Sequence, residues 1–219
     1  MTDRSAARKL AKRAIERGDP TGWFEELYRL AETSPEVVPW SDMRANAHLV
    51  TWAERRDVPG QGRRALVVGC GYGDDAEWLV GLGFRVLAFD ISPTAIAAAR
   101  RRFPESRVDY QVADVLNLPR DWLHAFDFVF EAYTLQVLPR ELRAVAARQI
   151  AATVKDTLLV IARGRDEDDD PGQMPWPLTR EDLLPILRRR PDLVQASFED
   201  YMDDETPSVR RFRVEYRRS

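Results

Sequence analysis

The stretch RALVVGCGYGDDAEWLVGLGFRVLAFD, residues 64–90, constrains the fold more than any other part of the chain. An apolar run at 65–68 leads into Gly69-Cys70-Gly71-Tyr72-Gly73. A helix-like segment follows, and a second apolar run, 84–89, ends on Asp90. Strand, glycine loop, helix, strand and acid in that order make a βαβ unit suited to a nucleoside. The glycines let the backbone turn sharply and approach a ligand with no Cβ in the way. A carboxylate ending the second strand can accept both hydroxyl protons of a ribose.

Spacing narrows the ligand. A dinucleotide fingerprint requires G-x-G-x-x-G, with a third glycine packing helix on strand beneath a pyrophosphate. Asp74 occupies that third position here and Asp75 follows it. Two carboxylates at a helix N-terminus suit the helix dipole but compete with a bound phosphate. This disfavours an NAD-type oxidoreductase. A nucleoside carrying a cation in place of a diphosphate suits the loop better. S-adenosylmethionine, with its sulfonium and ammonium groups, is such a ligand.

Residues 67–73, Asp90 and Ala113-Asp114-Val115 resemble, in order and spacing, the motifs of the class I S-adenosylmethionine-dependent methyltransferases. The resemblance covers roughly residues 40–219. It implies that Gly69, Cys70, Gly71 and Gly73 pass under the methionine part of the donor. Asp90 and Ile91 would hold the ribose, and Asp114 with Val115 the adenine. The product would be S-adenosylhomocysteine. The implied fold is α/β and Rossmann-like: a seven-stranded, mainly parallel sheet with helices on both faces, an antiparallel last strand and an N-terminal helical lid.

Bulk properties agree with one such domain. The 219 residues suit a single α/β unit, 57–219, preceded by a helical extension, 1–56. Hydrophobic content of 44% and charged content of 32% describe a soluble globular protein. A net charge of −3 disfavours nucleic-acid partners. The single cysteine, Cys70, excludes an intrachain disulfide and points to the cytoplasm. No apolar run of signal-peptide or membrane-spanning length is expected to operate. The Cys and His spacing offers no metal site. A monomer or homodimer is expected.

Periodicity predicts strands near 64–69, 84–89, 107–112, 126–131, 156–162, 192–199 and 209–217. It predicts helices over 2–17, from Thr21 as N-cap, over 45–56, and near 74–82, 93–103, 139–152 and 179–189. Pro35 and Pro39 break the chain between the second and third helices. The tail from Val209 alternates like an edge strand with one wet face. Arg165 to Gly172 reads as a polar loop.

Ligands of an open parallel sheet bind outside the carboxyl ends of its strands. Glu131 and Tyr133 lie there after the fourth strand and are the catalytic candidates. Glu131 could bind the donor, orient a nucleophile or act as a general base; it could equally cap backbone amides of the next turn. Tyr133 and Gln136 could shape an acceptor pocket. His48 is a further candidate base, whereas His124 falls at the opposite sheet edge. Cys70 reads as a small residue filling tight space. Met174-Pro175-Trp176-Pro177 could lean over the same edge.

Pro39-Trp40-Ser41-Asp42-Met43-Arg44, followed by Leu49 and Trp52, is similar to the lead-in of the thiopurine and thiol methyltransferase-like group. That likeness implies that Trp40 lines the donor site and that Trp23 and Phe24 serve as a lid. The alternative is that these aromatics anchor the N-terminal helices. The group carries Asp-Arg after the fourth strand where this chain has Glu131-Ala132, so the acceptor need not be a thiopurine. The expected function is methyl transfer to sulfur, oxygen or nitrogen of a small molecule, with no nucleic acid or membrane partner. The alternative is a non-catalytic S-adenosylmethionine-binding sensor or partner protein.

Overall fold

Short runs of Val, Leu, Ala and Phe separated by helical stretches form strands buried on both faces, and such strands pair in parallel beneath covering helices. The computed structural model describes residues 4–34, 37–56, 58, 60–188 and 190–219; Pro35 lies outside them. Strands β1 (Arg64–Val68), β2 (Arg85–Asp90), β3 (Asp109–Val112), β4 (Phe126–Ala132) and β5 (Val154–Arg163) are parallel. With β6 (Leu193–Met202) and β7 (Arg210–Arg218) they form one sheet of seven, ordered β3-β2-β1-β4-β5-β7-β6.

Helices cover both faces. α3 (Ala47–Arg56), α4 (Asp74–Gly81) and α5 (Pro93–Arg102) bury Leu49, Trp52, Leu79 and Ile96 against Val67, Ala88, Phe128 and Ile161. On the other face α6 (Arg140–Thr153) and α7 (Arg180–Leu183) bury Ala146, Ile150 and Leu183 against Val68, Val129, Leu158 and Val214. α1 (Ser5–Glu16) and α2 (Trp23–Ala31) form a third cluster with Val38, Ala95, Val137 and Met174. The N-terminal helices thus rest on the loops at the carboxyl edge of the sheet.

Helix ends follow local chemistry. Ser92 caps α5 by accepting from the Ala95 N–H at 3.0 Å, with Pro93 in the first turn. Gly22, not Thr21, stands at the N-cap of α2, where the Asp19 carboxylate accepts its N–H. The helix expected over 179–189 is shorter: α7 opens with a Thr179–Asp182 capping box and passes into a 3-10 turn at Leu184–Ile186. Pro185 supplies no N–H to prolong it.

The tail departs from expectation in a consequential way. β7 is not an edge strand; it lies between β5 and β6, antiparallel to both, and β6 is the edge. Phe212, Val214 and Tyr216 face one core as alternation requires. The alternate set, Arg211, Arg213 and Glu215, is buried too. Arg211 pairs with Asp203 at 2.5 Å and Arg213 with Glu199 at 2.5 Å. Glu215 accepts from Trp52 Nε1 at 3.0 Å and Arg56 Nε at 2.6 Å, which ties α3 to the sheet. Alternation reports polarity, and here the polar face is covered by α3, far off in sequence, and by carboxylates of the adjacent β6 and the turn after it.

Candidate active site

The sheet order sets chemically active residues in a row along one edge. Asp114 follows β3, Asp90 ends β2, the glycine loop follows β1, Tyr133 follows β4 and Arg163 ends β5. Because β7 runs the other way, its first residues, including Arg211, meet the same edge, as does Tyr201 near the end of β6. At a strand spacing of about 4.8 Å, Arg163 stands roughly 10 Å from the glycine loop. A single cavity of about 1180 Å³ runs along this row.

Asp90 is buried, 6% exposed, and each oxygen holds a backbone donor. Oδ2 accepts from the Gly71 N–H and Oδ1 from the Ser92 N–H, both at 2.9 Å. Burial pushes its pKa up to about 6 against the opposing pull of those amides. Asp114 accepts from the Leu116 N–H at 2.8 Å and lines the cavity together with Ile91 and Val115. Gly69, Cys70 and Gly71 line it as well. Gly71 has φ +51°, and a Cβ there would stand 2.8 Å from the Tyr28 hydroxyl. Burial raises the Cys70 thiol well above its usual range, as expected of a space-filling residue and not of a nucleophile.

Gly73 does not line the cavity. It has φ +91° at the start of α4, and a Cβ would overlap the Tyr110 hydroxyl, so its role is packing. Asp74 forms a two-point pair with Arg102 at 2.8 Å. Asp75 holds the Asn46 N–H at 2.7 Å, and burial pushes its pKa up to about 6. Both carboxylates line the cavity at the helix N-terminus.

Trp40 and Phe24 line the cavity, with Trp40 Nε1 donating to the Tyr28 hydroxyl at 3.1 Å. Trp23 sits behind them, fully buried and stacked on Phe24 at 3.9 Å. Trp176 also lies outside the lining, beneath the Arg143 guanidinium, whereas Met174 and Pro175 reach the cavity.

Glu131 and Tyr133 part company. Glu131 is fully buried outside the cavity lining, and its Oε1 accepts from the Thr134 and Leu135 N–H groups at 2.8 and 3.0 Å. It therefore caps the turn after β4. Oε2 has no hydrogen-bond partner, and burial pushes the carboxyl up to about 7. Tyr133 adopts φ +68°, an unusual conformation for an aromatic residue, and lines the cavity with the Arg211 guanidinium 5.2 Å from its ring centre. Burial raises its hydroxyl to about 12, so it stays protonated at neutral pH. Gln136 is buried and accepts from the Arg163 N–H at 2.8 Å, fixing the end of β5.

His48 also faces the cavity, with Nδ1 2.8 Å from the Tyr201 hydroxyl. Burial and nearby Arg211 lower its pKa to about 4, leaving the ring neutral near pH 7. His124 lies in a turn where its N–H bonds the Ala152 carbonyl, away from the cavity. Sequence reading missed Tyr28, Tyr201, Arg211 and Glu25. The Glu25 carboxylate reaches from α2 to Ser92 Oγ and Thr94 Oγ1, at 2.6 and 2.7 Å, and joins the N-terminal helices to α5 beside Asp90. None of these contacts leaves a local signal. Among the described residues, no group of three or more His, Cys, Asp or Glu could hold a metal, and no helix is long and apolar enough to cross a membrane.

Comparison with known proteins agrees with this geometry. Residues 65–157 match a family model described as a methyltransferase domain. Thiopurine S-methyltransferase of Xanthobacter autotrophicus is 32% identical over 132 residues, 53% of this chain and 62% of that protein. Ubiquinone biosynthesis O-methyltransferase of Thiobacillus denitrificans is 31% identical over 131 residues, 59% of this chain and 50% of that protein. The chain thus spans between one half and somewhat under two thirds of these relatives' lengths. The structure of Burkholderia thailandensis 1,6-didemethyltoxoflavin-N1-methyltransferase, with bound 1,6-didemethyltoxoflavin and S-adenosylhomocysteine, superposes with a TM-score of 0.67 at 18% identity, covering 95% of this chain and 89% of that one. Residues 65–157 thus carry a methyltransferase-domain match, and the chain is similar in sequence to methyltransferases and in fold to one that binds S-adenosylhomocysteine.

Proposed function

We propose that the chain binds S-adenosylmethionine in the β1–β3 half of its cavity and transfers the methyl group to a small molecule held in the β4–β7 half. The observation that carries this reading is the continuity of the cavity. Its volume of about 1180 Å³ exceeds the roughly 300–1,000 Å³ usual for one ligand, so donor and acceptor can share it.

The residues present fit the donor. The Gly69–Gly71 backbone offers a surface without side chains. Asp90 keeps lone pairs for ribose hydroxyls after accepting its two amides, and Asp114 keeps one oxygen free of its turn for an amino group. Ile91, Val115 and Trp40 supply apolar walls, and Asp75 supplies negative charge toward a cationic ligand. Glu131 supports the turn that carries Tyr133 and is a positioning residue in this reading. Residues 1–56 act as the cover of the site.

The donor, when bound, supplies a sulfonium that leaves as a thioether once its methyl carbon is attacked. The chain's own task is alignment and exclusion of water. Neutral His48, held by Tyr201, can accept a hydrogen bond from the acceptor, and Tyr133 can donate one to it. Sulfur, oxygen and nitrogen acceptors are all compatible with these groups.

Calorimetry with S-adenosylmethionine and S-adenosylhomocysteine, followed by transfer of a labelled methyl group to a panel of thiols, phenols and amines, tests the proposal. Micromolar donor binding with product formation is expected. No binding of either compound at millimolar concentration would overturn it. Binding without transfer across the whole panel would assign the chain to the sensor or partner class.

A further inference from the structure

Three arginines converge on the cavity half away from Asp90: Arg163 ending β5, Arg211 on β7 and Arg4 just before α1. Arg163 and Arg211 are direct cross-strand partners. Their side chains therefore leave the sheet on the same face, an arrangement that like charges disfavour. Arg211 is compensated by Asp203 and Glu205, each at 2.5 Å. Arg163 and Arg4 are not. Among the described residues, neither guanidinium has a hydrogen-bond acceptor or a salt-bridge carboxylate, although both are half-buried. Arg8, the next cation along α1, is committed to the Met174 carbonyl at 2.8 Å.

The electrostatics agree with the geometry. Burial lowers the pKa of both Arg4 and Arg163, and neighbouring arginines lower each further, Arg8 and Arg211 for Arg4, Arg4 and Arg211 for Arg163, against the partial opposing pull of Glu205 on both. Both ion-paired carboxylates nearby, Asp203 and Glu205, are bound to Arg211, which leaves Arg163 and Arg4 without a bound carboxylate. Asp204 also lines the cavity but is exposed to solvent. Val137, Met174 and Pro175 add apolar wall beside the arginines.

We propose that Arg163 and Arg4 receive a carboxylate on the methyl acceptor, so that the substrate class is a small organic acid with an apolar body. A planar guanidinium matches a carboxylate with two parallel hydrogen bonds, and a half-desolvated site strengthens them. The inference rests on the methyl-transfer reading of the same cavity.

The test uses the full chain saturated with S-adenosylhomocysteine. Calorimetric titrations compare 2-hydroxy-, 2-amino- and 2-mercaptobenzoate with their carboxamides, and phenyl phosphate with phenol. At least one benzoate is expected to bind tenfold or more tightly than its amide. Arg163→Gln should erase that preference and Arg4→Gln should reduce it, with S-adenosylhomocysteine affinity and Tm unchanged in both. Equal binding of acids and amides, no binding of any probe, or a preference kept in Arg163→Gln would overturn the proposal. A preference shown only by phenyl phosphate would overturn the carboxylate assignment. Failure of the wild type to bind S-adenosylhomocysteine would instead sink the methyl-transfer reading, so the two failures are distinguishable.

Discussion

Lowering the pH from 8 to 5 tests the role of Asp90 directly. Each carboxylate oxygen already holds one backbone N–H, from Gly71 or Ser92, so ribose hydroxyls must be accepted by the remaining lone pairs of the ionised form. A proton on either oxygen turns an acceptor into a donor and spoils this geometry. With the pKa at about 6, the apparent Kd for S-adenosylhomocysteine should rise about twofold at pH 6 and about tenfold at pH 5, or about 1.4 kcal/mol. Stability of the unliganded protein should move the other way. A carboxyl raised in the folded state contributes stability that is complete below its ordinary pKa and lost as pH rises through about 6. Opposite slopes for binding and stability are therefore expected. Calorimetry and thermal melts across this range measure both. Asp90→Asn should bind roughly 10- to 100-fold more weakly at pH 8, having lost charge-assisted hydrogen bonds, and should lose most of the slope in Kd. Any slope left in that variant belongs to Asp75, which also sits near 6. A wild-type Kd that stays within twofold from pH 8 to 5, or an unchanged slope in Asp90→Asn, would refute the reasoning.

Other variants separate structure from chemistry. Glu131→Gln keeps an acceptor for the Thr134 and Leu135 amides, so methyl transfer should stay within about threefold of wild type; a loss of a hundredfold would return Glu131 to catalysis. The same variant should flatten the fall in stability between pH 5 and 8, because a carboxyl near 7 in place of 4.5 opposes folding by about 3 kcal/mol once ionised. Gly73→Ala should cost about 2–3 kcal/mol in urea denaturation, since φ +91° strains alanine and its Cβ displaces the Tyr110 hydroxyl from Glu77. Glu215→Ala strands the Arg56 guanidinium and Trp52 Nε1, and a loss of about 3 kcal/mol is expected; a change below about 0.5 kcal/mol would show that the buried pair adds nothing.

The β1–β3 half of the cavity was legible because it is local. Gly69–Gly71 and Asp90 belong to one βαβ unit, and their place at the carboxyl edge follows from strand direction and backbone freedom within about 25 residues. Asp114 is one further strand away in the same parallel run. The structure departs from what the resemblance implied at particular side chains. Gly73 belongs to the packing of Tyr110, Trp23 and Trp176 lie behind the lining, and Glu131 caps a turn. In a strand that ends at a site, one residue of two faces it, and only the register says which.

By itself, then, the sequence determined the alternation of strands and helices, the mainly parallel sheet and the row of groups from Asp114 to the glycine loop, all of which rest on contacts between near neighbours in the chain. Tertiary structure decided the β4–β7 half of the cavity. Insertion of β7 between β5 and β6 buried a face that alternation marks as wet, because Trp52 and Arg56 arrive from distant α3, and Glu199 and Asp203 from β6 and the turn after it, to match its charges. The same insertion set Arg211 beside Arg163 and brought Tyr201 to His48. Hydrophobic periodicity records which side chains avoid water, but a buried ion pair is specified by two residues that meet only when the sheet closes over them.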